Sequence, residues 1–197
     1  MVITHFGNGC FRVQSGDTSM LINPENNRLK ADITLRTLVA TAPEDVAAAT
    51  GAGEDGGGLA IAMPGEYEEK DIEIVGYPVA AESTAKFLKT VYVVRWEGLK
   101  LAVLGHLSTP LDASLMEELA EPDVLFLPAG GDHFLEPEPA AKAAKQLEAR
   151  IVIPSFYKDP APFLKALGVK GETMERFTFK AKDIADNKGR AIVLSVA

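Results

Sequence analysis

Histidine is the side chain best suited to bind a metal ion or to transfer a proton near neutral pH, and this sequence contains three histidines. His106 follows an apolar run and is a candidate metal ligand or general base, although a hydrogen-bonded structural histidine is the simpler interpretation. His133 lies beside Asp132, which suggests a pair that orients His106 or, more simply, residues at the rim of a pocket. His5 lies within the first apolar run and is assigned no role.

Other reactive side chains give weaker signals. Ser155 lies close to Tyr157, but no nucleophile elbow surrounds it, so a catalytic serine is not favoured. Cys10 is expected to be buried as a small apolar residue. The carboxylates around Glu66 and Glu68 are interpreted first as structural residues. The alternative is a pair of carboxylates that acts in acid–base catalysis.

Composition restricts the class of protein. The chain has 197 residues, 47% of them apolar and 24% charged, which is typical of a globular domain. A net charge of -8 argues against nucleic-acid binding. A single cysteine excludes an intrachain disulfide and favours the cytoplasm, and no apolar run approaches the roughly 20 residues of a membrane helix.

The first part of the sequence consists of short apolar runs separated by turns rich in glycine and asparagine, which tolerate the positive φ angles of tight turns. The pattern predicts strands at residues 2–6, 10–14, 20–23 and 33–39, arranged as an antiparallel meander. A short helix is predicted at 43–50. It is followed by a glycine-rich loop at 51–58 that is predicted to be mobile, because five of its eight residues are glycine. Strands at 59–63 and 71–74 come next.

The second half alternates strands with helices. Apolar runs at 91–96 and 99–104, joined by Glu97-Gly98, predict a hairpin. Asp112 is expected to cap a helix that ends before Pro122, and helices at 139–149 and 160–167 alternate with strands at 124–127 and 151–153. Strands at 176–180 and 191–196 follow. The order predicts a single α/β (α+β) domain over residues 1–197, with two sheets face to face and helices outside.

Several segments occur in an order that resembles the metallo-β-lactamase superfamily, in particular its bacterial and archaeal branch of small Zn-dependent hydrolases, kin to the L-ascorbate-6-phosphate lactonase type. The resemblance runs nearly end to end and implies a four-layer αββα sandwich with the site at one edge between the sheets. The segments that carry it are Phe6-Gly7-Asn8-Gly9-Cys10-Phe11, Leu21-Ile22-Asn23-Pro24, Pro64-Gly65-Glu66-Tyr67-Glu68, Leu104-Gly105-His106, Leu125-Phe126-Leu127-Pro128-Ala129-Gly130-Gly131 and Ile153-Pro154-Ser155-Phe156-Tyr157-Lys158.

The same resemblance implies that the family's metal ligands have been replaced. Its H-x-H-x-D-H motif falls on residues 41–46, where only the aspartate is kept. Its later histidine falls near Ala81, its aspartate after Leu-Gly becomes His106, and its last histidine becomes Phe156. The residues expected to line this vestigial pocket are Asn8, Asn23, Thr41, Pro43, Asp45, Val46, Glu66, Ala81, His106, His133 and Phe156.

Zinc needs three or four nitrogen, sulfur or oxygen ligands, so the sequence predicts no metal cofactor and no catalytic residues. The chain is therefore expected to be a pseudoenzyme, a binding or regulatory module whose partner is an unknown small molecule or a protein. One alternative is a divergent metal-dependent hydrolase of a phosphate ester or lactone, with a reduced one-metal site formed by His106, Asp45 and a third donor such as His133 or Asp132. Another is a structural subunit of a homo-oligomer.

Overall fold

The computed structural model describes residues 1–26, 28–42 and 58–197, together with the backbone of residues 51 and 52. The strands are β1 (Val2–His5), β2 (Phe11–Ser15), β3 (Thr18–Ile22), β4 (Ile33–Leu35), β5 (Leu38–Ala40), β6 (Gly51–Ala52), β7 (Leu59–Ile61), β8 (Gly65–Glu69), β9 (Ile72–Pro78), β10 (Phe87–Trp96), β11 (Leu99–Val103), β12 (Val124–Pro128), β13 (Ile151–Ser155), β14 (Glu172–Met174), β15 (Arg176–Thr178) and β16 (Arg190–Leu194). The helices are α1 (Ala113–Leu119), α2 (Pro137–Gln146), α3 (Ala161–Leu167) and α4 (Ala181–Ile184), and a 3₁₀ turn spans Ala80–Glu82.

The strands of the described residues form two sheets. The first has the order β15-β1-β2-β3-β4-β7-β6, and the second has the order β14-β16-β13-β12-β11-β10-β9-β8, with β5 paired to β10. In the second sheet β11, β12, β13 and β16 run parallel, so their carboxyl ends lie along one edge. The mixed α/β fold with two sheets, predicted from the sequence, is confirmed.

The core lies in two layers, one on each face of the second sheet. Tyr92 and Val94 of β10 belong to a buried cluster that they share with Ile3 and Met20 of the first sheet. The intervening Val91 and Val93 belong to a second cluster with residues of α1, α2 and α3. Because both faces of β10 are covered, its apolar run is continuous rather than alternating.

Local signals for the elements of the second half are confirmed. The hairpin of β10 and β11 closes on the pair Trp96 and Leu99. The Asp112 carboxylate accepts a hydrogen bond from the Leu115 amide at 2.9 Å and so caps α1, and Gly168 ends α3 with a φ of 82°.

Three expectations need correction. The first strands do not form a simple antiparallel meander, because β3 pairs with β4 in parallel and the run at 33–39 divides into β4 and β5, which belong to different sheets. Within the predicted glycine-rich loop, residues 51 and 52 form β6 and pair with β7. Residues 65–69 form β8, an edge strand that the sequence did not predict. The predicted helix at 43–50 and residues 53–57 of the loop lie outside the described residues.

Among the described residues, no helix has the length and apolar character required to cross a membrane.

Candidate functional site

The candidate site lies at the carboxyl ends of the parallel strands of the second sheet, the edge at which open α/β sheets commonly bind ligands. His106 follows β11, Phe134 lies in the connection between β12 and α2, and Phe156 follows β13 directly. Three separate strand ends therefore bring an imidazole and two phenyl rings to one place.

These three rings form a single cluster. The rings of Phe134 and Phe156 are stacked with centroids 4.1 Å apart, and the His106 ring lies 4.9 Å from Phe156 and 6.0 Å from Phe134. Phe156 has a φ of 55°, a conformation that few residues other than glycine adopt. The tip of the Phe156 ring lies against Gly9, where an added Cβ would come within 2.2 Å of the ring. The ring thus requires a glycine at residue 9.

The first sheet reaches the same cluster through a chain of hydrogen bonds. Thr37 Oγ1 lies 2.7 Å from His106 Nδ1 and 3.0 Å from Asn23 Oδ1, and the Thr37 amide donates to the same Asn23 oxygen at 2.8 Å. Asn23 and Thr37 are only 8% and 1% exposed. His106 is therefore held by two side chains that water does not reach freely.

The environment of His106 keeps its imidazole neutral. Burial disfavours the charged form, the nearby Lys89 ammonium opposes a second positive charge, and together they lower the pKa of His106 to about 4. At neutral pH one ring nitrogen therefore carries a lone pair, as a metal ligand or a hydrogen-bond acceptor requires.

Glu82 anchors the segment that follows His106. Its carboxylate accepts hydrogen bonds from the amides and hydroxyls of Ser108 and Thr109 and from Lys89 Nζ, at 2.5 to 3.0 Å. Burial raises the pKa of Glu82, but the hydrogen bonds from Lys89, Ser108 and Thr109 outweigh it and lower the pKa to about 2. The anchored segment is tied to the 3₁₀ turn before β10.

The structure brings together some of the residues predicted from the sequence. Asn23, His106 and Phe156 are joined directly or through Thr37. Ala81 is exposed in the 3₁₀ turn beside Glu82, and Asn8 donates to Glu25 Oε1 at 2.5 Å one residue before Gly9. Pro43, Asp45 and Val46 lie outside the described residues.

Other predicted residues lie elsewhere. Glu66 is exposed on β8, and Thr41 donates to the Ala85 carbonyl at 2.5 Å. His133 and Asp132 are exposed, and the contacts of the described residues join neither of them to His106; Asp132 faces Lys158 Nζ at 3.5 Å. His106 is thus oriented by Thr37 and not by the Asp132 and His133 pair.

The two other reactive side chains considered in the sequence, those of Ser155 and Cys10, are both buried. Ser155 is 2% exposed and donates to the Leu127 carbonyl at 3.3 Å. Cys10 is buried as expected, and burial together with the charge of Glu25 raises the pKa of its thiol.

Sequence reasoning missed Thr37, Glu82, Lys89 and Phe134. Phe134 is the residue after His133, so the prediction of a residue beside the pocket was off by one position. Thr37 and Glu82 carry no local signal, because Thr37 meets His106 across 69 residues and Glu82 meets Ser108 across 26.

The described residues do not by themselves complete a metal site. No group of three or more histidine, cysteine, aspartate or glutamate side chains is found among them in an arrangement that holds a metal ion. His106 supplies one donor of a suitable type, and the rings of Phe134 and Phe156 beside it supply none. A full ligand set of three or four is therefore not met by this part of the chain.

Comparison with known proteins identifies the family. The model of the Beta-lactamase superfamily domain matches residues 2–155. A UPF0173 metal-dependent hydrolase of Thermococcus onnurineus is 35% identical over 91 residues, which cover 42% of this chain and 41% of that protein. A second one, of Archaeoglobus fulgidus, is 30% identical over 127 residues, which cover 60% and 53%. The matches thus span about half the length of these relatives or less.

These relatives correct one expectation. The sequence predicted no cofactor, but proteins similar to this chain are named metal-dependent hydrolases, and a metal cofactor is the expectation that they support. The prediction of no cofactor is therefore wrong on this comparison.

Solved structures agree on the fold. A Thermotoga maritima protein assigned to the Zn-dependent hydrolases of the metallo-beta-lactamase superfamily superposes with a TM-score of 0.77 at 26% identity, covering 98% of this chain and 97% of its own. A metallo hydrolase of Ignicoccus hospitalis gives a TM-score of 0.63 at 21% identity, covering 91% and 99%, and shows the shared fold alone. With a family model matching residues 2–155 and this fold, the chain belongs to the metallo-β-lactamase superfamily.

Proposed function

We propose that this chain is a divergent metal-dependent hydrolase in which His106 is one of the metal ligands. The observation that carries the proposal is the position of the His106 imidazole, held by Thr37 Oγ1 at 2.7 Å, at the sheet edge where open α/β sheets commonly bind ligands. Burial and the Lys89 ammonium lower the pKa of His106, which leaves one ring nitrogen with a lone pair for a metal. The names of the relatives supply the expectation of a metal. Asp45 remains the candidate second donor on the sequence motif alone.

The proposed substrate class is a phosphate ester or a lactone. The rings of Phe134 and Phe156 next to His106 favour a substrate with an apolar or aromatic portion, because a flat ring can stack on them. We propose that residues 1–197 form one domain that carries the activity. The proposed compartment is the cytoplasm.

Elemental analysis of protein purified without chelator tests the metal. About one equivalent of a transition metal per chain is expected in the wild type, and His106→Gln should hold much less. His133→Gln is the matched control, since His133 is exposed and not joined to His106. Substoichiometric metal in the wild type, even after incubation with zinc, would overturn the proposal.

A second candidate function is a binding or regulatory module, favoured by the stacked rings of Phe134 and Phe156. One probe separates the two functions: an aromatic lactone, offered both as substrate and as ligand. Metal-dependent hydrolysis that is lost in His106→Gln supports the hydrolase. Binding without turnover, weakened in Phe134→Ala, supports the binding module. Assembly into a homo-oligomer is a separate proposal, which the mass measured by light scattering tests.

A further inference from the structure

We infer that Thr37 is a positioning residue that, together with Asn23, holds His106 in the tautomer with the proton on Nδ1 and the lone pair on Nε2. The inference deepens the proposed function. Only its statement that Nε2 binds a metal rests on that function. The tautomer itself follows from the hydrogen bonds of three side chains.

The orientation of the Asn23 amide comes first. The Thr37 backbone N–H can only donate, and it lies 2.8 Å from the Asn23 atom assigned as Oδ1. A flipped amide would place an NH₂ group against this N–H, two donors facing each other. The Asn23 atom that faces Thr37 is therefore the carbonyl oxygen, which accepts only.

The proton of the Thr37 hydroxyl is then assigned. Oγ1 lies 3.0 Å from the same Asn23 oxygen, and because that oxygen cannot donate, the hydroxyl donates its single proton to it. Towards His106 Nδ1, at 2.7 Å, the hydroxyl oxygen can only accept. Nδ1 must therefore carry a hydrogen, and in the neutral ring Nε2 carries the lone pair.

The surroundings prevent the chain of bonds from rearranging. Thr37 is 1% exposed, so water does not offer its hydroxyl another acceptor. Gly105, which precedes His106, has a φ of 50°, and a Cβ there would lie 2.0 Å from Thr37 Oγ1. Only glycine allows the hydroxyl to lie this close to the backbone that carries His106. The contact thus joins the connection between β4 and β5 to the segment that follows β11.

The consequence concerns binding. Ligating histidines generally donate their second ring N–H to a neighbouring oxygen, which fixes the tautomer and the ring orientation. Thr37 provides this oxygen for His106. A hydroxyl that is itself held by Asn23 replaces the carboxylate or carbonyl that more often has this role.

Long-range ¹H–¹⁵N correlation spectra of the histidine rings, recorded on metal-free protein at neutral pH, test the tautomer. His106→Gln assigns the His106 signals. A pyrrole-type Nδ1 and a pyridine-type Nε2 are expected in the wild type and in Thr37→Ser, which keeps the hydroxyl. Thr37→Val keeps the side-chain shape without the hydroxyl and should move the proton to Nε2. A wild-type Nε2 that carries the proton, or an unchanged tautomer in folded Thr37→Val, would overturn the inference.

Titration with zinc alone separates this inference from the proposed function. Thr37→Val should weaken zinc binding by about 10–100-fold, and Thr37→Ser should weaken it far less. If the wild type shows the expected tautomer but binds no zinc, the proposed function fails and the positioning role stands. If it binds zinc with the proton on Nε2, the positioning role fails and the proposed function stands. Should Thr37→Val not fold, the wild-type spectrum alone decides the tautomer.

Discussion

Replacing Glu82 with glutamine is expected to destabilise the fold and to loosen the segment that follows His106. The carboxylate faces donors on several sides, from Ser108, Thr109 and Lys89, and its side chain is only 4% exposed. Glutamine has the same shape, but it has no charge, and its NH₂ group would point at a donor. One or more of these donors would then lose its partner.

The magnitude follows from the pKa of Glu82. A fall from 4.5 to about 2 means that the folded state favours the charged carboxylate over a neutral group by about 3 kcal/mol at neutral pH. Since the folded pKa lies below the unfolded one, this stability is present above pH 4.5 and is lost as the pH falls towards 2. Glu82→Gln should therefore lower the free energy of unfolding by about 3 kcal/mol at pH 7 and by much less near pH 2.

Urea denaturation of the wild type and Glu82→Gln across this pH range measures the effect. Glu117→Gln, which changes an exposed glutamate of α1, is the matched control and should stay within about 0.5 kcal/mol of the wild type. Amide hydrogen exchange gives a local readout, since the Ser108 and Thr109 amides should exchange faster in Glu82→Gln. A loss at pH 7 as small as that of the control, with unchanged exchange of both amides, would refute the reasoning.

Two further predictions concern Gly9 and His5. Gly9→Ala should cost about 1–3 kcal/mol more than Gly16→Ala, because both residues have a positive φ but only at Gly9 does the new Cβ meet a side chain, the Phe156 ring; equal losses in thermal or urea unfolding would contradict this. His5 donates from Nδ1 to the Leu194 carbonyl, and burial lowers its pKa despite this hydrogen bond, so the unfolded chain takes up a proton at a higher pH than the folded chain. Stability should therefore fall as the pH drops below about 6.5. The fall should be less steep in His5→Gln than in the wild type or in the control His133→Gln. Parallel curves of unfolding free energy against pH for His5→Gln and the wild type would contradict this.

Much of the fold was predictable because its signals are local. Apolar runs and turn residues mark the strands of the second half, Glu97-Gly98 marks the hairpin, and Asp112 marks the start of α1. The order of short motifs indicated the family, which the match over residues 2–155 confirms. The division of residues 33–39 between two sheets was not predictable, because a strand's partners lie far away in the sequence and the apolar pattern is the same for either sheet.

The sequence by itself determined which side chains were available at the site: a histidine after Leu104-Gly105 and a phenylalanine at residue 156. The tertiary structure alone decided what they touch. Thr37 meets His106 across 69 residues and Glu82 meets Ser108 across 26, so neither pair leaves a pattern within one element. The protonation state and tautomer of an imidazole depend on burial and on the direction of neighbouring donors and acceptors, and these quantities exist only once the two sheets have come together.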